Sequence, residues 1–244
     1  LAAVGRLAWP ARADWPVIAS VGVFQMAAFQ PLVNYGLGSV EASRSVVLVY
    51  TTPLWVVPGA VLFLGERLNR RKLIGLALGL AGVAVLFNPL GLDWRDRAVV
   101  TGSLLLMIAA MIWGIAILHI RGHNWRMSAL QLTPWQLLLA FLLLLPLTIA
   151  VEGAPKPNWT NSLIAALIYN GPIATGFCFW AATSITRALP AVTSSLSFLG
   201  VPVMGVTLSA LTLGEPLSAS LLAGFGLILA GVATVNLADR PARS

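Results

Sequence analysis

The chain has 244 residues, 58% of them hydrophobic and only 9% charged, with a mean hydropathy of +0.88. An average soluble domain has about a quarter of its residues charged, and 15 Lys and Arg with 8 Asp and Glu cannot clothe a water-soluble globule of this size. The net charge of +7 raises nucleic acid as a partner, a question decided by where the charges sit.

They cluster at intervals, leaving eight charge-free windows that predict eight membrane-spanning helices, here α1 to α8. In chain order the windows are 15–40, 45–65, 73–92, 98–120, 127–151, 157–186, 188–214 and 216–238. Each reaches the roughly 20 residues that a helix needs to cross about 30 Å of hydrocarbon. One mid-membrane Arg or Asp costs about 2.5 to 3.5 kcal/mol, as much as several leucines return. A β-barrel is excluded, because 103–112 and 137–145 are apolar on every side instead of alternating.

The termini and the α2–α3, α4–α5 and α6–α7 loops hold 11 of the 15 basic residues, among them Arg67, Arg70, Arg71, Arg121, Arg126 and Arg187. The positive-inside rule then places that face and the C-terminus in the cytoplasm, and no nucleic-acid partner is expected. A single cysteine, Cys178, excludes an internal disulfide. No metal, cofactor or catalytic residue is expected. His119 and His123 read as a solvated pair at headgroup level, and Asn158-Trp159-Thr160 as a chance sequon.

Shifting the sequence by 149 residues aligns Pro53 with Pro202, Leu64-Gly65-Glu66 with Leu213-Gly214-Glu215, and Leu80 to Ala84 with Leu229 to Ala233. Residues 40–85 show 17 identities in 46 pairs. Because α2 and α7 lie five helices apart, the copies cross in opposite senses, an inverted repeat. The halves are 1–92, an incomplete first repeat with α1 to α3, and 93–244, a second repeat with α4 to α8. Two helices are missing from the first. A longer chain with ten spans accounts for that, the chain opening at Leu1 rather than Met, and an eight-span protein with an eroded first half is the other possibility.

Two copies of a Pro-containing helix ending in Leu-Gly-Glu, each followed by a Gly-rich helix ending in Ala-Gly-Val, resemble the EamA-type drug/metabolite transporter superfamily. The Trp and Tyr content resembles its YddG-type amino acid exporters of the bacterial inner membrane. The resemblance implies an all-α helical bundle whose α3 and α8 lie outside while α1, α2, α4, α6 and α7 line a central cavity. It implies export of aromatic or other neutral amino acids, with efflux of cationic or hydrophobic drugs as the alternative; the apolar spans themselves call for a lipid bilayer as partner, and a monomer and a homodimer both stay open. An intramembrane enzyme or a non-transporting subunit fits less well, since the spans lack a nucleophile paired with a base but carry amides.

Uncharged polar and aromatic residues within spans are the candidate lining of a small-molecule path: Gln30, Asn34, Tyr50, Trp55, Trp113, Tyr169, Asn170, Trp180, Ser194 and Ser197. Gln136 of α5 belongs to the same class of in-span polar groups. Trp15, Trp94, Trp125, Trp135 and Trp159 read as interfacial belt anchors. Pro53 and Pro202 are candidate hinges near the middle of α2 and α7. Glu66 and Glu215 are candidate caps for the helices that follow them, α3 and α8. The Gly75, Gly79, Gly82 and Gly224, Gly231 stripes point to close helix packing, within the chain or in a dimer.

Overall fold

The computed structural model describes residues 8–40, 45, 48–87, 95–154, 157–204, 207 and 219–238. Among them the regular structure is helical, with no strand. Four helices are long and apolar enough to cross a membrane: α1 (Trp15–Leu37), α4 (Arg97–Gly122), α5 (Ala129–Glu152) and α6 (Asn161–Ala188). The others are α2 (Thr52–Leu64), α3 (Arg70–Phe87), α7 (Ala191–Met204) and α8 (Ala219–Ala238).

Side-chain contacts fix the directions. Ser20 of α1 meets His119 of α4 while Gly36 lies against Leu106, so α1 and α4 are antiparallel. Gly114 abuts Thr52, Trp55 and Val56, and Gly122 abuts Leu64, so α4 runs parallel to α2. The end of α2 meets the start of α7 through Glu66 and Ala191, the contact that an inverted pair would make.

The glycine stripes are spent inside the chain. A Cβ on Gly75 would lie 2.7 Å from the Gly231 carbonyl, and one on Gly82 2.7 Å from the Gly224 carbonyl. The 149-residue shift turns the first pair into the second, so α3 and α8 cross on a local two-fold axis with backbones in contact.

The repeat reaches into backbone geometry as well. In α1 the segment Ser20–Ala28 is π-helical, and in α6 the π segment is Tyr169–Phe177, the same nine positions after the shift. A turn at Tyr50 and Thr51 separates α2 from the helical residues Leu48 and Val49 before it, and a turn at Phe198 and Leu199 breaks α7. Pro53 therefore does not kink a continuous helix; it sits in the first turn of Thr52–Leu64, where its missing N–H is no loss. Pro202 lies four residues beyond Phe198, whose carbonyl it cannot serve and which accepts from Val201 N at 3.1 Å instead. Hydroxyls also compensate for the break in α2: Thr51 donates to Leu48 O at 2.6 Å and Thr52 to Val49 O at 2.8 Å.

At the basic face, Asp14 is buried and accepts from Arg126 N at 2.6 Å, Met127 N at 3.2 Å and Ala11 N at 3.2 Å. Arg187 donates to the Met127 and Trp125 carbonyls and stacks 3.9 Å over the Trp125 ring. Trp125 is thus a buried strut beneath a cation, not the belt anchor its position suggests. The histidines are brackets rather than a solvated pair: His119 Nδ1 lies 2.8 Å from Ser20 Oγ and His123 Nε2 2.8 Å from Ala13 O. Trp15 and Trp159 are exposed, as belt anchors should be; Trp135, half-buried, donates to Ala8 O, and Trp94 lies outside the described residues.

Candidate functional site: a cavity between broken helices

A cavity of about 790 Å³ lies where the two broken helices face each other. Its wall is built from Val49 to Pro53 on α2, from Ser195 to Met204 on α7, from Phe29 on α1 and Trp113 on α4, and from the Ala174–Ile185 stretch of α6. Leu229 adds a contact from α8, and α5 contributes nothing. Helix breaks put backbone turns where continuous helices would fill the space, the arrangement that transporters use at the middle of the bilayer.

Among the described residues the lining carries no charged side chain. Its polar groups are the Tyr50, Thr52, Ser195 and Ser197 hydroxyls, the Trp113 indole and the Cys178 thiol. Two of the hydroxyls are committed: Thr52 also reaches Ala110 O at 3.3 Å, and Ser195 donates to Val192 O at 2.9 Å. Tyr50, Ser197 and Trp113 supply the remaining hydroxyl and indole groups of the wall. Apolar and aromatic surface makes up the rest, with Phe29, Trp113 and Phe179 in series, ring centroids 4.7 Å and 6.0 Å apart.

Of the ten residues singled out from sequence, Tyr50, Trp113 and Ser197 line this cavity. Ser194 is wholly buried one residue from the wall, with no partner for its hydroxyl among the described residues. Trp180 packs against the α1–α5 core and Phe177. Trp55 lies on the exposed side of α2. Gln30 and Asn34 are exposed and bonded to each other at 3.3 Å, and Asn170 turns back to Ala166 O on an exposed stretch beside Tyr169. An in-helix partner is the other way to carry an amide in lipid, and spacing alone does not separate it from a cavity-facing one. Phe29, Val49, Phe179 and Met204 went unrecognised because an apolar residue facing a cavity reads like one facing lipid.

Glu66 acts across the repeat instead of along it. Its carboxylate accepts from Ala191 N at 2.5 Å and Val192 N at 3.3 Å, the opening amides of α7. Helix α3 is capped by Asn69, which accepts from Lys72 N at 2.8 Å; three residues separate Glu66 from α3, leaving Asn69 in the cap position. Gly65, at φ +64°, ends α2 in the left-handed conformation and releases Glu66 toward its partner. Glu215 lies outside the described residues.

The chain is 34% identical over 186 residues to a "probable amino-acid metabolite efflux pump" of Salmonella typhimurium, covering 71% of this chain and 60% of that protein. It is 28% identical over 231 residues to a "probable terminal-alkyne amino-acid exporter" of Streptantibioticus cattleyicolor, covering 93% and 75%. It is 28% identical over 204 residues to an "uncharacterized transporter", YoaV, of Bacillus subtilis, covering 84% and 70%. A crystal structure at 22% identity superposes with a TM-score of 0.79 over 97% of this chain and 82% of its own, which shows a common fold. The model of the EamA-like transporter family matches residues 1–88 and 100–237, nearly the whole chain. With its helices too apolar for water, a cavity between inverted copies and that match, this multi-pass membrane protein belongs to the EamA-like transporter family.

Proposed function

We propose that the protein exports amphipathic metabolites, neutral and above all aromatic amino acids, by exposing the cavity alternately to the two faces as the repeats rock about the breaks that precede Pro53 and Pro202. It is a carrier, not an enzyme, of the bacterial inner membrane with its C-terminus in the cytoplasm. One observation supports the solute class: an aromatic, uncharged cavity of about 790 Å³ with a few hydroxyl and indole tips. That volume lies within the roughly 300 to 1,000 Å³ of small-molecule pockets. Such a wall receives an aromatic side chain and gives nothing to a phosphate. The rings of Phe29, Trp113 and Phe179 also favour a second solute class, lipophilic cations, held over their faces.

Proteoliposomes test the reading with labelled phenylalanine, tetraphenylphosphonium and glucose 6-phosphate. Phenylalanine is expected to move saturably and the phosphate not at all. Cys178 provides an independent measure, because it is the chain's single cysteine and lines the cavity. Phenylalanine should slow its reaction with a maleimide. If no probe moves faster than in empty liposomes and Cys178 reacts at the same rate with and without solute, the reading fails.

A further inference from the structure

Phe179 joins the cavity wall to a buried cluster of α1, α4 and α5, and that part of the bundle holds polar side chains that no hydrogen bond uses among the described residues. Phe179 lines the cavity and also packs against the buried cluster of α1, α4 and α5 that contains Val21, Met26, Leu132 and Ala140. Gln136 stands on α5 between Leu132 and Ala140, four residues from each and so on the same stripe. It is 0% exposed, and neither its amide nitrogen nor its amide oxygen has a hydrogen-bond partner among the described residues. Thr183 is one turn beyond Phe179 on the same face of α6, 1% exposed, and its hydroxyl is unpartnered too. Against α5, Gly22 of the α1 π segment brings the backbones so close that a Cβ would lie 3.0 Å from the Gln136 carbonyl.

A leucine or methionine would fill the Gln136 site without stripping water from four hydrogen-bonding positions. In a bundle that must open, a polar group that is orphaned in one state belongs to a surface that is wet, or occupied, in another. We propose that Gln136 and Thr183 form a second polar subsite, closed in this conformation, that receives the hydrogen-bonding head of the solute when Phe179 moves from between α5 and α6. The inference rests on the transport reading and sharpens it. A carboxamide and a hydroxyl donate and accept at once, which suits a head that does the same, the ammonium and carboxylate of an amino acid. They offer nothing specific to tetraphenylphosphonium, which has no donor or acceptor.

The two probes therefore separate. In Gln136→Leu, phenylalanine flux should fall about tenfold, the effect of losing one such hydrogen bond, while tetraphenylphosphonium flux stays within about twofold of wild type; the melting temperature should rise. Phenylalanine flux within about twofold of wild type, or an equal fall for both probes, overturns the proposal. So does a wild-type protein that moves tetraphenylphosphonium and not phenylalanine, although transport itself would stand. Should Gln136→Leu not fold, or no probe move at all, Gln136→Cys in a Cys178→Ser background reports on the opening directly. Slow labelling by a water-soluble maleimide supports a surface that opens, and no labelling over hours, under conditions that label Cys178 in the wild type, refutes it.

Discussion

Replacing Gly231 with alanine puts a methyl group into the seam where the α3 and α8 backbones touch. The new Cβ would lie 2.6 Å from the Gly75 carbonyl, 2.8 Å from Gly79 N and 3.1 Å from Gly79 Cα, all backbone atoms that have no rotamer to yield. Reaching even 3.0 Å from that carbonyl requires α3 and α8 to separate by about 0.4 Å, and ordinary contact at 3.4 Å requires about 0.8 Å. A gap of 0.5 to 1 Å forfeits roughly a quarter to a half of each van der Waals contact along a seam. Overpacking of this kind costs about 1 to 3 kcal/mol. Gly226 is the control: it is helical on α8 with nothing within 4 Å of its Cβ position, so Gly226→Ala should gain up to about 1 kcal/mol of helix propensity. Gly79→Ala falls between them, because its Cβ meets the Leu199 Cδ1 methyl at 2.6 Å, the end of a flexible side chain. Thermal inactivation in detergent, followed by size-exclusion chromatography, should rank the three in the order Gly226→Ala, Gly79→Ala, Gly231→Ala from most to least stable. A Gly231→Ala protein as stable as Gly226→Ala would refute backbone contact between α3 and α8.

Glu66→Ala removes the link between the end of α2 and the start of α7; with charge-assisted bonds worth about 1.5 to 3 kcal/mol each and the group half-exposed, a net loss of about 1 to 2 kcal/mol is expected. It should show as faster maleimide labelling of Cys178 and altered flux, with Glu66→Gln milder; an unchanged labelling rate would remove Glu66 from any gating role. Asp14→Ala leaves Arg126 N and Met127 N without their acceptor and should lower the yield of folded protein and its melting temperature, as read by fluorescence-detected chromatography, more than Arg12→Ala on the exposed surface nearby.

Charge segregation made the spans readable because lipid penalises a misplaced ion heavily, and the 149-residue shift carried the inverted architecture with it. Pairings were less readable than positions. Glu66 and Ala191 are 125 residues apart, so nothing local distinguishes a cap on α7 from a cap on α3. Trp125 looked interfacial because its burial depends on Arg187, 62 residues downstream. Tyr50, Trp113 and Ser197 were legible because a polar tip deep in a span needs a reason. Phe29 and Phe179 offered no such signal, and the π segments offered none either, since composition does not distinguish i→i+5 from i→i+4 pairing.

Those two π segments bear on how such a bundle moves. A stretch of wider turns holds a surplus residue, and drawing it out into ordinary α-helix would swivel whatever lies beyond by about 100°, one residue's share of a 3.6-residue turn. Helices α1 and α6 carry this slack at matched positions of the two copies. Torsion of two such screws, and not tilt alone, is then available to the protein for turning side chains toward or away from the space between them.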